Sequence, residues 1–126
     1  MAPILKSSAV DQLDRTAILE RVEGDEDLLE EIVQLFIEDC PRLVGQMEES
    51  LREKNAAGLR LAAHTLKGSL SYFGPSQACA LACELEILGR DDCLEQAVPF
   101  HEALLAKLNE LQPVLAGLIR KPAHAK

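Results

Sequence analysis

The sequence has very few aromatic residues: they make up 3% of its 126 residues, and tryptophan is absent. Hydrophobic residues nevertheless make up 48% of the chain. Because so few of them are aromatic, the core must consist of Leu, Ile, Val and Ala side chains. Leu and Ala, together with Glu, Lys and Arg, are strong helix formers, whereas aromatic and β-branched residues favour strands. No segment shows the sustained alternation that a half-buried strand requires. The composition therefore favours packed helices over a sheet.

An excess of basic residues is also missing. The chain has 13 Lys and Arg against 21 Asp and Glu, with a net charge of −8 and a pI of about 4.8. Non-specific nucleic-acid binding needs a basic stripe, and an anionic membrane surface repels an acidic protein. We therefore expect neither nucleic acid nor membrane as a partner.

Long apolar runs are absent as well. No stretch approaches the roughly 18 residues of a membrane span, and the first residues lack the extended apolar region of a signal peptide. The four cysteines lie in apolar or helical contexts, which favours reduced thiols over disulfides. Cys79 and Cys83 could offer two metal ligands on one helix face, but zinc needs about four and no second pair is visible. The sequence therefore predicts a cytoplasmic protein without a metal site, whose cysteines serve packing.

The length and the hydrophobic periodicity predict one all-α domain. Four long helices with short connections are typical of an antiparallel four-helix bundle, and a short extra N-terminal helix would lie across one end. We expect a flexible lead-in over residues 1–13, the domain over residues 14–120 and a frayed tail over residues 121–126. The predicted helices are Asp14 to Val22; Asp25 to about Lys54, either kinked at Pro41 or split into two collinear helices; about Ala56 to Phe73; Pro75 to about Gly89; and one from about Cys93 onward.

The third predicted helix carries the residues of greatest chemical interest. His64, Lys67 and Gly68 are spaced i, i+3 and i+4, so they share a helix face. At about 100° per residue, Arg60 and Ser71 lie within about 60° of the histidine. A glycine inside a helix costs about 1 kcal/mol relative to alanine, and close approach by another molecule would offset that cost. We therefore predict a solvent-exposed histidine with cations beside it.

This arrangement suits phosphoryl chemistry. A neutral imidazole has a nucleophilic nitrogen, and Lys67 and Arg60 would attract the oxygens of a dianionic phosphoryl group. The chain has no Walker glycine loop, no kinase motif set and no carboxylate cluster typical of a dedicated Mg²⁺ site. It could therefore hold a phosphoryl group on His64 but not take one from ATP unaided.

The stretch from His64 to Ser69, followed by Gly74, resembles the signature of histidine-containing phosphotransfer (HPt) domains of two-component phosphorelays. The resemblance extends from about Asp14 to Arg90 and includes the last helix. It implies a four-helix bundle that accepts a phosphoryl group from a receiver-domain aspartate and passes it to another receiver. The flanking segments that share the resemblance are Leu35 to Glu38 with Pro41 and Leu43, and Leu85 and Glu86 with Gly89 and Arg90.

The resemblance also implies residue roles. His64 would be phosphorylated through Nε2, Lys67 would steady the phosphoryl oxygens, and Gly68 would give the receiver close access. Glu86, on the next helix, would accept a hydrogen bond from the histidine Nδ1–H and fix the tautomer. The alternative for Glu86 is an exposed charge paired with Arg90 at i+4.

The implied function is that of a monomeric phosphocarrier that is not an enzyme. It would have no cofactor of its own, because the receiver partner would supply Mg²⁺, and a hybrid sensor histidine kinase is a further potential partner. One alternative is a substrate domain of a chemotaxis-type or hybrid histidine kinase. Another is a helical adaptor that docks a partner without chemistry. No role is expected for His101 or His124.

Overall fold

The computed structural model describes residues 13–119. In this part the chain forms five helices and no strand, so the predicted all-α class is confirmed. Most of the predicted lead-in and the whole predicted tail lie outside the described residues, and the domain limits stay a prediction. The helices are α1 (Arg15–Arg21), α2 (Glu26–Arg52), α3 (Ala56–Ser71), α4 (Gln77–Arg90) and α5 (Leu94–Ala116).

Side-chain caps begin four of these helices. In each case a side-chain oxygen of the residue before the helix accepts a hydrogen bond from a backbone N–H of the first turn, which otherwise has no partner. The caps of α1 and α2 are the residues at which the sequence predicted these two helices to begin. The capping residues are Asp14 for α1, Asp25 for α2, Asn55 for α3 and Ser76 for α4.

Proline does not split the long helix. Pro41 lies inside α2, which is one continuous helix of 27 residues, so the prediction of one helix is confirmed and the alternative of two collinear helices is wrong. The α3 helix ends at Ser71, two residues before the predicted Phe73. Gly74 follows with a φ of +90°, a conformation that glycine adopts without strain.

Residue pairs along the helices show that neighbours run antiparallel. Phe36 of α2 and Phe73, just after α3, have ring centroids 5.7 Å apart in an edge-to-face contact. Lys67 lies near Cys79, whereas Arg60, earlier in α3, lies near Gly89, later in α4. The interior consists mainly of Leu, Ala, Val and Ile side chains. The largest fully buried ones are Leu29, Val33, Met47, Leu59, Leu66, Leu70, Leu85, Leu104, Leu111 and Leu115.

The short helix α1 is held at one end of the bundle by Arg15. Its Nε donates to the Leu118 carbonyl at 2.8 Å, and its Nη2 lies 3.1 Å from Glu26 Oε1. One side chain thus joins the start of α2 to the segment after α5. Across residues 13–119, no helix combines the length and apolarity needed to cross a membrane.

Candidate functional site

The two faces of α3 differ sharply in exposure. Leu59, Ala62 and Leu66 are at most 3% exposed and form its inward stripe. The His64 side chain, on the opposite face, is 61% exposed. The predicted exposure of the histidine is therefore confirmed, and it follows from the 3.6-residue period that places the Leu and Ala positions inward.

Glu86 of α4 lies against the histidine and contacts two residues of the site at once. Its Oε2 is 2.9 Å from His64 Nδ1, and its Oε1 is 2.7 Å from Lys67 Nζ. An ionised carboxylate can only accept hydrogen bonds, so the Nδ1 atom carries the proton. In the neutral ring, the Nε2 atom is then the nitrogen with a free lone pair. Arg90, the partner of Glu86 in the alternative prediction, donates from Nε to Asp91 at 3.1 Å, and its pKa is raised chiefly by Asp91 and to a lesser degree by the charge of Glu86.

The electrostatics of this group are dominated by the Lys67–Glu86 contact. The close contact with the Lys67 ammonium, and secondarily the hydrogen bond from His64, holds the pKa of the Glu86 carboxyl below its usual 4.5. The same contact raises the pKa of Lys67 above 10.5. Glu86 Oε1 is buried without a well-angled hydrogen bond, but the ammonium at 2.7 Å compensates its charge. The carboxylate therefore stays ionised near neutral pH and pairs with the lysine.

A hollow of about 160 Å³ lies beside the histidine between α3 and α4. Two of its lining residues, Arg60 and Lys67, were predicted as site residues. A third cation, Arg90, was not assigned to the site from the sequence, although its position four residues after Glu86 places it on the same face of α4. An anionic group on His64 would therefore be close to positive charge. The lining residues are Arg60, Lys67, Cys83, Glu86, Ile87 and Arg90.

Gly68 is not required by packing within the chain. A Cβ placed there would meet no atom within 4 Å, so the open space above this position faces outward. Because alanine would favour the helix by about 1 kcal/mol, the fold itself gives no reason for a glycine. Its predicted role in partner access remains a prediction.

Ser71 lies on the predicted face, but its hydroxyl bonds its own helix. Ser71 Oγ donates to the Gly68 carbonyl at 2.6 Å, an i to i−3 bond of the kind that serine makes locally. The structure therefore brings together His64, Lys67, Glu86 and Arg60, and gives Ser71 a contact with the backbone instead.

Within residues 13–119, the cysteines and the other histidine form no metal site, although Cys83 lines the hollow. In residues 13–119, no three His, Cys, Asp or Glu side chains are grouped as a metal site would require. Cys79 is half-buried with Sγ 3.9 Å from the Lys67 carbonyl, and burial raises the pKa of its thiol. His101 is only 6% exposed and its Nε2 lacks a partner. Sequence reasoning missed this buried histidine, although its spacing from Ala97 and Leu104 matches the inward face of α5. His124 lies outside the described residues.

The family assignment agrees with this geometry. The Hpt domain family matches residues 31–113, more than half of the chain and the part that contains α3 and α4. The chain belongs to the Hpt domain family.

The chain is also similar to a curated protein of known role, at low sequence identity. The chain is 24% identical over 105 residues to the phosphorelay intermediate protein rdeA of Dictyostelium discoideum. The match covers 83% of this chain but 41% of that protein, so the chain spans less than half the length of this relative. No solved structure gives a significant match. Family membership and this similarity support a role as a phosphotransfer carrier.

Proposed function

We propose that this protein is a phosphorelay carrier that accepts a phosphoryl group on His64 from a receiver-domain aspartate and donates it to the aspartate of another receiver. The observation that carries the proposal is the contact between His64 Nδ1 and Glu86 Oε2 at 2.9 Å. This contact orients the exposed ring and leaves the Nε2 lone pair free for attack.

The transfer needs no proton from solvent. The Nε2 lone pair forms the new N–P bond while the P–O bond to the receiver aspartate breaks, and the aspartate carboxylate leaves with the bond electrons. The ring gains positive charge in this step while its Nδ1 proton stays against Glu86, whose carboxylate stabilises that charge. The reverse sequence of bond changes delivers the phosphoryl group to the second receiver.

Lys67 would gain a second anionic partner during transfer. In the structure its ammonium is 2.7 Å from Glu86, and a phosphoryl group on the neighbouring histidine would offer it additional anionic oxygens. Arg60 and Arg90 line the same hollow and would add to the attraction without a direct role in the reaction.

The other half of the active site would come from the receiver. The receiver would supply the Mg²⁺ ion and the phosphorylated aspartate. The chain itself would have neither an ATP site nor a cofactor of its own, so it would not act as a stand-alone enzyme. A monomeric state and a cytoplasmic location are part of the same proposal.

The direct test is transfer of label from a receiver domain phosphorylated with acetyl [³²P]phosphate. We expect acid-labile, base-stable label on the wild-type protein and none on His64→Gln, whereas His124→Gln keeps the label. Label that persists in His64→Gln would refute the assignment. A receiver that binds the wild-type protein without ever labelling it would favour an adaptor role.

The second candidate function is a substrate domain for a histidine kinase. The carboxylate of Glu86 favours this function, because a carboxylate is a more basic partner for the ring than an amide would be. This function needs a separate ATP-binding kinase domain. Label on His64 from ATP and such a kinase domain, but from no phosphorylated receiver, would support it over the carrier function.

A further inference from the structure

The hollow between α3 and α4 contains a thiol that the proposed transfer does not use. Cys83 lines this hollow together with Lys67 and Glu86, and Glu86 also contacts His64 Nδ1. Cys83 thus shares the hollow with the residue that orients the ring. It is partly exposed and is not part of a disulfide. A diffusible reagent that enters the hollow can therefore reach this thiol.

A second thiol lies one helical turn earlier. Cys79 and Cys83 are spaced i and i+4, so they share a face of α4. Both lie near the Lys67 ammonium. The pKa of Lys67 is raised chiefly by its hydrogen bond to Glu86, and to a lesser degree by the negative charges of ionised Cys83 and Cys79. The two cysteines and the lysine therefore form a cluster of nucleophilic and cationic groups close to the histidine.

The four cysteines differ in how freely they can react. The thiolate is the nucleophile, and burial in apolar surroundings disfavours it. Cys40 is 3% exposed, and burial raises its pKa to about 11. Burial also raises the pKa of Cys79. Cys93 lies outside the hollow, so Cys83 is the cysteine that lines it.

The charge of the hollow determines which reagent it attracts. Arg60, Lys67 and Arg90 line it, against the carboxylate of Glu86, whereas the whole chain has a net charge of −8. A local excess of cations concentrates small anions by its field. Peptide disulfides with more carboxylates than amino groups, such as oxidised glutathione, are anions of this kind.

Helix geometry disfavours a disulfide between the two cysteines of the cluster. The Cβ atoms of a disulfide lie about 3.5–4.5 Å apart, whereas those of residues i and i+4 of a helix lie about 5–6 Å apart. Cys79 and Cys83 both lie within α4. Oxidation by thiol–disulfide exchange therefore stops at a mixed disulfide with the small reagent.

We propose that Cys83 is a redox modification site that takes an anionic low-molecular-weight thiol of the glutathione class as a mixed disulfide, and that this adduct switches off phosphoryl transfer at His64. The Cys83 thiolate attacks one sulfur of the small disulfide, so that a new S–S bond forms and the old one breaks. The other half leaves as a thiolate with the bond electrons, and the proton of the Cys83 thiol goes to solvent. The Cys83 sulfur is oxidised and the departing sulfur is reduced, so the small disulfide is the oxidant.

The adduct blocks the site through both its size and its charge. Pockets that enclose drug-sized ligands measure about 300–1,000 Å³, whereas this hollow measures about 160 Å³. A tripeptide attached to Cys83 therefore protrudes from the hollow beside His64. Its carboxylates also compete with phosphoryl oxygens for Lys67 and Arg60. The modification itself does not depend on the proposed function, whereas its effect on transfer rests on that function.

The first experiment compares two disulfides of opposite charge. The wild-type protein is incubated with oxidised glutathione, which is anionic, or with cystamine, which is cationic. Mass spectrometry of tryptic peptides gives the rate of mixed-disulfide formation at each cysteine, from low to physiological ionic strength. Each rate is divided by that of N-acetylcysteine amide, a neutral thiol, which removes the difference in intrinsic reactivity between the two reagents. Cys93 is the control site, because it is partly exposed but lies outside the hollow.

At Cys83 we expect oxidised glutathione to react about ten-fold faster than cystamine at low salt after this correction. The preference should shrink as salt is added, because exposed charges are screened. At Cys93 the acidic chain should give no preference for oxidised glutathione. The proposal is overturned if Cys83 shows no preference for the anionic reagent, or if Cys93 shows the same one.

Paired arginine variants test whether the cations of the hollow cause the preference. Arg60→Gln/Arg90→Gln should abolish it at Cys83. Arg42→Gln/Arg52→Gln makes the same charge change at exposed positions of α2 and should retain it. An equal decrease in both variants would show that net charge, and not the hollow, controls the reaction.

The second experiment measures the effect of the adduct on transfer. The protein is treated with oxidised glutathione, freed of excess reagent by gel filtration and mixed with a receiver labelled with acetyl [³²P]phosphate. Treatment should slow transfer to the wild-type protein by about ten-fold or more, because like charge opposes the incoming phosphoryl group, and dithiothreitol should restore it. Cys83→Ser should transfer equally before and after treatment, whereas Cys93→Ser should remain sensitive. A wild-type protein that is fully modified at Cys83 and still transfers at its untreated rate would refute the switch, as would a treated Cys83→Ser that loses transfer.

These outcomes separate the inference from the proposed function. If no receiver labels His64 in the untreated wild-type protein, the proposed function fails, and the modification site is still decided by the rates at Cys83. If receivers label His64 but Cys83 shows no charge preference, or its adduct leaves transfer unchanged, the carrier function stands and the inferred switch is wrong. Circular dichroism melts confirm that each variant and the adduct are folded.

Discussion

At the scale of single residues, the position of one carboxylate organises the site. Glu86 accepts from His64 Nδ1 through one oxygen and pairs with Lys67 through the other. It therefore has two separable effects: a hydrogen bond that sets the tautomer, and a negative charge that holds the lysine. Glutamine at this position would keep the first effect and lose the second.

This separation makes Glu86 a testable positioning residue. In Glu86→Gln, the amide oxygen can still accept from Nδ1–H, so we expect phosphotransfer within a few-fold of wild type. In Glu86→Ala both contacts are lost, and transfer should fall by about ten-fold or more, in line with the loss of a hydrogen bond to a charged group. The measurement is single-turnover transfer from a labelled receiver.

A nitrogen NMR spectrum distinguishes this role from a merely structural one. Wild type and Glu86→Gln should show His64 with the proton on Nδ1, whereas Glu86→Ala should show a mixture of tautomers. Identical tautomer populations in all three proteins would show that the carboxylate does not orient the ring.

At the scale of helices, two glycines near the site serve opposite purposes. A Cβ at Gly89 of α4 would lie 2.8 Å from the backbone N of Arg60 and 3.0 Å from the Ala56 carbonyl oxygen. A Cβ at Gly68 would meet nothing within 4 Å. Gly89 therefore permits α3 and α4 to approach closely, which keeps Glu86 within reach of the histidine, whereas Gly68 has no such packing role.

Alanine substitutions should reveal the difference. Gly89→Ala should lower the free energy of unfolding by about 1–3 kcal/mol, because backbone atoms must move apart. Gly68→Ala should raise the free energy of unfolding by up to about 1 kcal/mol through helix propensity, yet slow phosphotransfer, because the new methyl group lies on the α3 face that carries His64. Urea denaturation and labelled transfer measure the two effects.

Gly45 provides the matched control for Gly68. Gly45 lies within α2, and a Cβ added there would likewise meet no atom within 4 Å. Gly45→Ala should give a similar stabilisation with unchanged transfer. If Gly45→Ala and Gly68→Ala slow transfer equally, the open space above Gly68 has no specific role in docking.

At the scale of the whole molecule, the buried His101 connects folding to pH. Its burial lowers its pKa below the ordinary 6.5, against the opposing effects of Glu48, Glu102 and a hydrogen bond to the Val44 backbone. Because the folded state binds this proton less readily than the unfolded state, the unfolded chain is protonated first as the pH falls. Stability is therefore lost progressively below about pH 6.5.

Urea unfolding at pH 7.5 and pH 5.5 tests this dependence. The wild-type protein should lose stability between the two values, and His101→Leu should lose less, because it removes the group that resists protonation. The difference between the two proteins isolates His101 from the carboxylates, which contribute to both. An unchanged pH dependence in His101→Leu would show that the buried ring does not contribute.

Much of the architecture could be predicted from local pattern. The inward stripe of α3, the caps at Asp14 and Asp25 and the five helical segments all follow from the spacing of neighbouring residues. Spacing within a helix also placed Lys67 and Gly68 beside His64. The continuity of α2 through Pro41 was left open, because the packing that holds a helix together across a proline is not a local property.

The contacts between helices required the tertiary structure. The resemblance to a family suggested Glu86 as a partner of the histidine, but their separation of 22 positions along the chain does not determine the distance between α3 and α4. The pairing of Lys67 with Glu86, the place of Arg90 in the hollow and the burial of His101 depend in the same way on how helices pack.

The sequence by itself thus determined an all-α chain, an exposed histidine and the cation and glycine on its face, because side chains three and four residues apart share a helix surface whatever the rest of the fold does. Only the tertiary structure decided which carboxylate contacts the ring and which cations lie beside it. Those features depend on the closeness and rotation of neighbouring helices, which are set by the packing of the whole core.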